Sequence, residues 1–217
     1  MSKGITGFTA GLYACLAKRT PILKDFYDAA AEEVLKKLSS GTVLDVGTGP
    51  GYLPTKVALS NSCLNVLGLD ISKDMIRISR KKLGENHVEN VQLIVGDIEK
   101  TALADESVDL AVATLSFHHW ASPARAFEEL FRILKQKGEI WIYELKGKLT
   151  PQSKAWIKRN YNIIARAVAP AIMKMEGGHA ITLEQAESIL EEYKGKFTQI
   201  SAQELELPLV KMVLIKT

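Results

Sequence analysis

The run Val43-Leu44-Asp45-Val46-Gly47-Thr48-Gly49-Pro50-Gly51 sets an acid and three alternate glycines at the end of a short apolar stretch. Glycines at that spacing permit a tight strand-to-helix turn and let the backbone approach a ligand closely. The pattern is not the dinucleotide fingerprint G-x-G-x-x-G, which needs glycine where Tyr52 stands. It is not a P-loop either, because no Gly-Lys-Ser/Thr follows. Asp70 closes Leu67-Gly68-Leu69-Asp70, at the separation where a carboxylate meets ribose hydroxyls in nucleotide-binding βαβ units. Asp97 closes Val95-Gly96-Asp97-Ile98. Singly, each acid reads equally as a helix cap or a surface turn, and the glycines as a bare turn. As an ordered set at the carboxyl ends of three successive strands, they point to a ligand at that edge. Farther on, Thr114-Leu115-Ser116-Phe117-His118-His119-Trp120 brings two imidazoles to the end of a fourth strand.

The elements that must position these residues alternate. Thr42–Val46, Leu64–Leu69, Val91–Val95, Val108–Thr114 and Glu139–Glu144 read as buried strands. Between them, Leu53–Leu59, Ser72–Leu83 with Ser72 as N-cap, and Pro123–Leu134 ending at Gly138 read as helices. Apolar strands separated by helices predict a parallel sheet covered on both faces. After Pro151 the apolar positions Ile157, Tyr161, Ile164, Val168, Ile172 and Met175 step by three or four, predicting a long helix broken near Pro170 and ended by Gly177-Gly178. A helix over Thr182–Tyr193 and two strands, Phe197–Leu205 and Leu209–Ile215, follow, the last pair joined closely enough to be antiparallel. The first 40 residues read as a helical lead-in with Ile22, Phe26, Ala29, Ala30, Val34 and Leu38 along one face.

With 217 residues, 47% apolar and 24% charged, the chain is an ordinary globular domain, expected to be single, with a cap over 146–180. No apolar run reaches the roughly 20 residues of a membrane span, and no secretion signal is read at the N-terminus. Cys15 and Cys63 lack metal or disulfide spacing, so no metal site is expected and a cytoplasmic setting fits. A net charge of +3 is too small to argue for nucleic acid. The charge is uneven, however: Lys146, Lys148, Lys154, Lys158, Arg159, Arg166 and Lys174 occur with no acid among them. That stretch reads as a solvated basic face or as a cap over an anionic acceptor.

From about Phe26 to Leu145, the order and spacing of the glycine loop, Asp70 and Asp97 resemble the class I S-adenosylmethionine methyltransferases. The likeness is to the methyltransferase type 11 group and its ubiquinone and menaquinone relatives in particular. It implies a Rossmann-like α/β fold: a seven-stranded, mostly parallel sheet with helices on both faces, the last strand antiparallel and a helical insertion after the fifth. It also implies S-adenosyl-L-methionine as cofactor. Asp45, Gly47, Thr48, Gly49 and Gly51 would surround its methionine part, Asp70 would hold the ribose and Ile71 would pack on adenine. Asp97 with Ile98 would read the adenine edge, and Met75 and Ser116 would complete the set. The fourth-strand end would face the transferred methyl group. It departs from the Asn-Pro-Pro-Tyr type of DNA, RNA and protein-amide N-methyltransferases, which argues against those acceptors. His118, nearer the strand, or His119 becomes a candidate base. The alternative is one histidine packed under the helix near Ser122 and the other solvated. Tyr27, Phe117, Trp156 and Tyr161 become candidate acceptor contacts, with the acceptor between the fourth strand and the cap. The implied function is methyl transfer to a small molecule. The competing readings are an RNA or protein methyltransferase and a cofactor-binding subunit without turnover. Oligomeric state is left open.

Overall fold

A computed structural model of the chain describes residues 20–162 and 180–216. Helix α1 (Pro21–Lys37) precedes strand β1 (Gly41–Val46), α2 (Tyr52–Ser60), β2 (Leu64–Asp70), α3 (Lys73–Glu85) and β3 (Val91–Val95). Then come β4 (Val108–Thr114), a single 3-10 turn (Phe117–His119), α4 (Pro123–Ile133) and β5 (Leu134–Leu145). Helices α5 (Pro151–Asn160) and α6 (Leu183–Glu191) and strands β6 (Phe197–Glu204) and β7 (Leu209–Lys216) complete the described fold.

The seven strands form one sheet in the order β3-β2-β1-β4-β5-β7-β6. The neighbouring pairs from β3 through β5 are parallel, and β7 runs antiparallel to both β5 and β6. The strand order reverses between β1 and β4, which opens a crevice beyond their carboxyl ends. Successive side chains alternate between the two faces. Val43, Leu110, Val112, Trp141 and Tyr143 join α1, α2 and α5 in one apolar core. Leu44, Ala111, Ile140, Ile142 and Met212 join α4 and α6 in the other. The inner strands are therefore buried on both sides and read as apolar runs, whereas the edge strands β3 and β6 keep exposed positions.

Local signals set the helix starts. Ser72 accepts from the Met75 N–H, and Ser122 from Arg125. Thr182 and Gln185 form a reciprocal capping box. Two expectations need correction. Helix α4 stops at Ile133, and Gly138 lies inside β5 and does not end the helix. Val108 faces Leu134 whereas Leu110 faces Glu139, so β5 starts early and absorbs extra residues as a bulge around Lys137, at φ 63°. The helix after Pro151 also ends at Asn160, short of Tyr161, which is extended at φ −126° and ψ 144°. The Asn160 amide donates to the Trp156 carbonyl, and the Tyr161 hydroxyl donates to Asp25 of α1, turning the chain toward that helix. Ile164, Val168, Pro170, Ile172, Met175 and Gly177-Gly178 lie outside the described residues. No described helix is long and apolar enough to cross a membrane.

Candidate functional site

The loop after β1 folds back onto β2, with the N–H groups of Gly47 and Thr48 donating to the Leu69 carbonyl at 2.8 and 2.9 Å. Gly47, Gly49 and Gly51 all take left-handed backbone, at φ 74°, 50° and 77°. At Gly47 a Cβ would lie 2.5 Å from the Ser116 Cβ, and at Gly51 2.1 Å from the Ser79 hydroxyl. Glycine is thus required twice over at both positions, by conformation and by space. Gly49 faces open space, so its conformation alone selects it.

Asp70 organises this loop. One carboxylate oxygen accepts from the Gly49 N–H and the other from the Ser72 N–H, both at 2.8 Å. Burial raises its pKa, and the two N–H donors work in the opposite direction. Asp45, 3% exposed, is pushed up to about 7 by burial, with the charge of Asp70 adding to the effect. At the end of β3, Asp97 accepts from the Glu99 N–H at 3.0 Å through one oxygen only.

Between these groups lies an open cavity, whose empty space with its mouth included is about 820 Å³. Gly47, Gly49, Asp70, Ile71 and Met75 line one side. Asp97, Ile98, Ser116, His119 and Tyr27 line it as well, so ten expected residues meet at one cavity. Asp45 and Thr48 are buried beneath the loop, and Gly51 packs on Ser79, so these three shape the loop from behind.

The wall beyond β4 differs more from expectation. Leu115 takes φ 56°, a strained value for a branched side chain, and its N–H donates to the Tyr143 carbonyl at 2.9 Å. The Ser116 hydroxyl donates to the Val46 carbonyl at 2.5 Å, tying β4 to β1. Phe117 points away into the α4 core, with ring centroids 5.0 Å from Trp120 and 6.1 Å from Phe127. His118 turns inward to Glu144, while the exposed His119 lines the cavity. Trp156 and Tyr161 are buried against α1 in the apolar core and form no part of the cavity lining. From α1, Tyr27 does reach the cavity, stacked at 5.5 Å on Tyr52, and the Lys82 ammonium lies 3.3 Å from the Tyr52 ring centroid.

Sequence reasoning passed over Val46, Leu69, Gly96, Thr114, Leu115 and Trp120 in the lining, and Glu144 behind it. Glu144 carried a signal, since it too is an acid at the end of a buried strand. The Thr114 hydroxyl is buried and has no hydrogen-bond partner among the described residues, an unmet polar group at the cavity wall.

Comparison with known proteins gives this geometry a lineage. The methyltransferase domain family matches residues 44–142, the stretch from β1 through most of β5. A demethylmenaquinone methyltransferase of Clavibacter sepedonicus is 25% identical over 155 residues, covering 71% of this chain and 60% of that protein. Over that stretch this chain is similar to the class I S-adenosylmethionine-dependent methyltransferases. A ubiquinone/menaquinone biosynthesis C-methyltransferase of Citrifermentans bemidjiense is 26% identical over 76% of this chain and 72% of that one. The fold is shared by a crystal structure of a Methanococcus maripaludis protein. Its TM-score is 0.75 at 24% identity, over 100% of this chain and 97% of that one. The chain spans 40–60% of the length of the first curated relatives it matches.

The residues present fit the family's cofactor. The left-handed turn at Gly49 lets the loop backbone approach the amino-acid portion, and Asp70 retains acceptor capacity beyond its two backbone donors for ribose hydroxyls. Ile71 and Ile98 offer apolar faces for a flat base, beside the second oxygen of Asp97.

Proposed function

We propose that the chain transfers a methyl group from S-adenosylmethionine to a small-molecule acceptor. The observation that carries this reading is the Asp70 carboxylate at the carboxyl end of β2. It binds the Gly49 and Ser72 N–H groups and stands at the wall of an open cavity. When bound, S-adenosylmethionine supplies an electrophilic methyl group displaced in line, together with its own leaving group. The chain's task is then to orient the acceptor, exclude water and take up a proton where the nucleophile still carries one.

Tyr27 and Trp120 cover the cavity from opposite elements and would exclude water there. His119, at the lining, is the side chain best placed to take an acceptor proton, with His118 directly behind it. Likeness to enzymes named for quinone methylation supports a small acceptor, as does the modest net charge of +3. The cysteine usage supports a cytoplasmic setting.

Incubation with radiolabelled S-adenosylmethionine and a cell extract, then fractionated by size, tests the proposal. Label is expected in the small-molecule fraction. Label in RNA or protein would replace the acceptor class, and tight cofactor binding with label nowhere would leave a binding subunit.

A further inference from the structure

Glu144, at the end of β5, is 1% exposed, yet strand packing asks nothing polar of it: its cross-strand partner is Val210. Both carboxylate oxygens point across to the turn after β4. Oε1 accepts from the Phe117 N–H at 2.9 Å, with the His118 N–H at 3.4 Å, and Oε2 lies 3.0 Å from Nδ1 of His118. A carboxylate so deeply buried is sustained only by donors, so the imidazole nitrogen facing it must carry a proton. The proton state of one ring nitrogen then fixes the role of the other. The His118 ring in turn lies 4.0 Å, centroid to centroid, from that of His119 at the cavity wall.

We propose that Glu144 is a positioning residue for methyl transfer. It holds the Nδ1 proton of His118 and so backs His119 with an oriented imidazole and a buried negative charge. No bond to carbon is made or broken by this pair. A proton leaving the acceptor passes to the histidine wall and then to solvent. The inference rests on the reading that the acceptor is methylated at this cavity.

Glu144→Gln separates positioning from scaffolding. The carboxamide oxygen still accepts from the Phe117 N–H, so the turn is kept, but a carboxamide no longer demands a proton on Nδ1. Imidazole nitrogen NMR on histidine-labelled protein, with His118 assigned by His118→Asn, reads the ring directly. In the wild type, neutral His118 should carry its proton on Nδ1, and in Glu144→Gln this preference should be lost. Turnover into the labelled small-molecule fraction should fall at least tenfold, with the Kd for S-adenosylhomocysteine within twofold, and Glu144→Asp should restore part of it. A wild-type His118 protonated on Nε2 overturns the proposal, and it does so even if Glu144→Gln fails to fold. A wild type that transfers methyl groups and a Glu144→Gln that does so equally well also overturns it, leaving the functional reading intact. A wild type that binds cofactor but labels nothing removes the functional reading itself.

Discussion

At the scale of single residues, two carboxylates make separable predictions. Asp70→Ala removes the acceptor for Gly49 and Ser72 as well as the proposed ribose contacts. S-adenosylhomocysteine binding should weaken by about 2–3 kcal/mol, the scale of hydrogen bonds to a charged acceptor, and calorimetry showing unchanged affinity would detach Asp70 from the ribose. Asp45 predicts a pH dependence. Its folded pKa of about 7 lies above the ordinary 3.8, so the folded state binds more protons between those values. The contribution of this group to stability therefore declines as pH rises from about 4 to about 7. Binding of the cationic cofactor runs the other way, because it favours the ionised carboxylate. Affinity for S-adenosylmethionine should rise several-fold from pH 6 to pH 8, and Asp45→Asn should flatten that slope. A slope that persists in Asp45→Asn assigns the titration to another group.

At the scale of elements, α1 and α5 matter through each other. Tyr27 of α1 reaches the cavity, while Trp156 of α5 and the following Tyr161 fasten that helix from behind. Their ring centroids are 5.5 Å apart, edge to face, and the Tyr161 hydroxyl is bonded to Asp25. Trp156→Ala should therefore cost stability, about 3–5 kcal/mol for an emptied aromatic site. In urea unfolding this should appear as a lower midpoint, with cofactor affinity at native conditions unchanged. Loss of cofactor affinity with normal stability would place Trp156 in the site after all. The helical spacing through Tyr161 misled because periodicity records which residues are apolar and says nothing of a tyrosine hydroxyl claimed by another helix.

For the whole molecule, the sheet is the device that brings distant segments to one edge. Gly47, Asp70, Asp97 and Ser116 come from four strand ends and meet because parallel strands all finish on the same side. A ligand joining those ends should stabilise the fold as a unit. S-adenosylhomocysteine at a hundred times its Kd adds about 2.7 kcal/mol, which for a chain of this size raises Tm by roughly 5–10 °C. Thermal unfolding should show that shift, and a response to NAD with none to S-adenosylhomocysteine would remove the cofactor assignment.

What the sequence determined by itself was whatever is written in short-range chemistry. The glycine loop, the acids at strand ends and the apolar runs each satisfy a local demand: left-handed backbone, a capped turn, burial on two faces. Those demands alone specified the seven strands and most of the cavity wall. Tertiary structure decided the rest, because the remaining assignments depend on which side chains meet across the sheet. Whether His118 or His119 faces the cavity turns on Glu144, 26 residues beyond His118 in the chain and one strand over. That Trp156 and Tyr161 lie in the core turns on an acid in α1, 136 residues before Tyr161. Even the early start of β5 is set by Val108, its cross-strand partner, and not by Gly138. Spacing along the chain encodes hydrogen bonds within a turn or a helix, whereas a carboxylate that meets an imidazole from the neighbouring strand leaves no periodic trace.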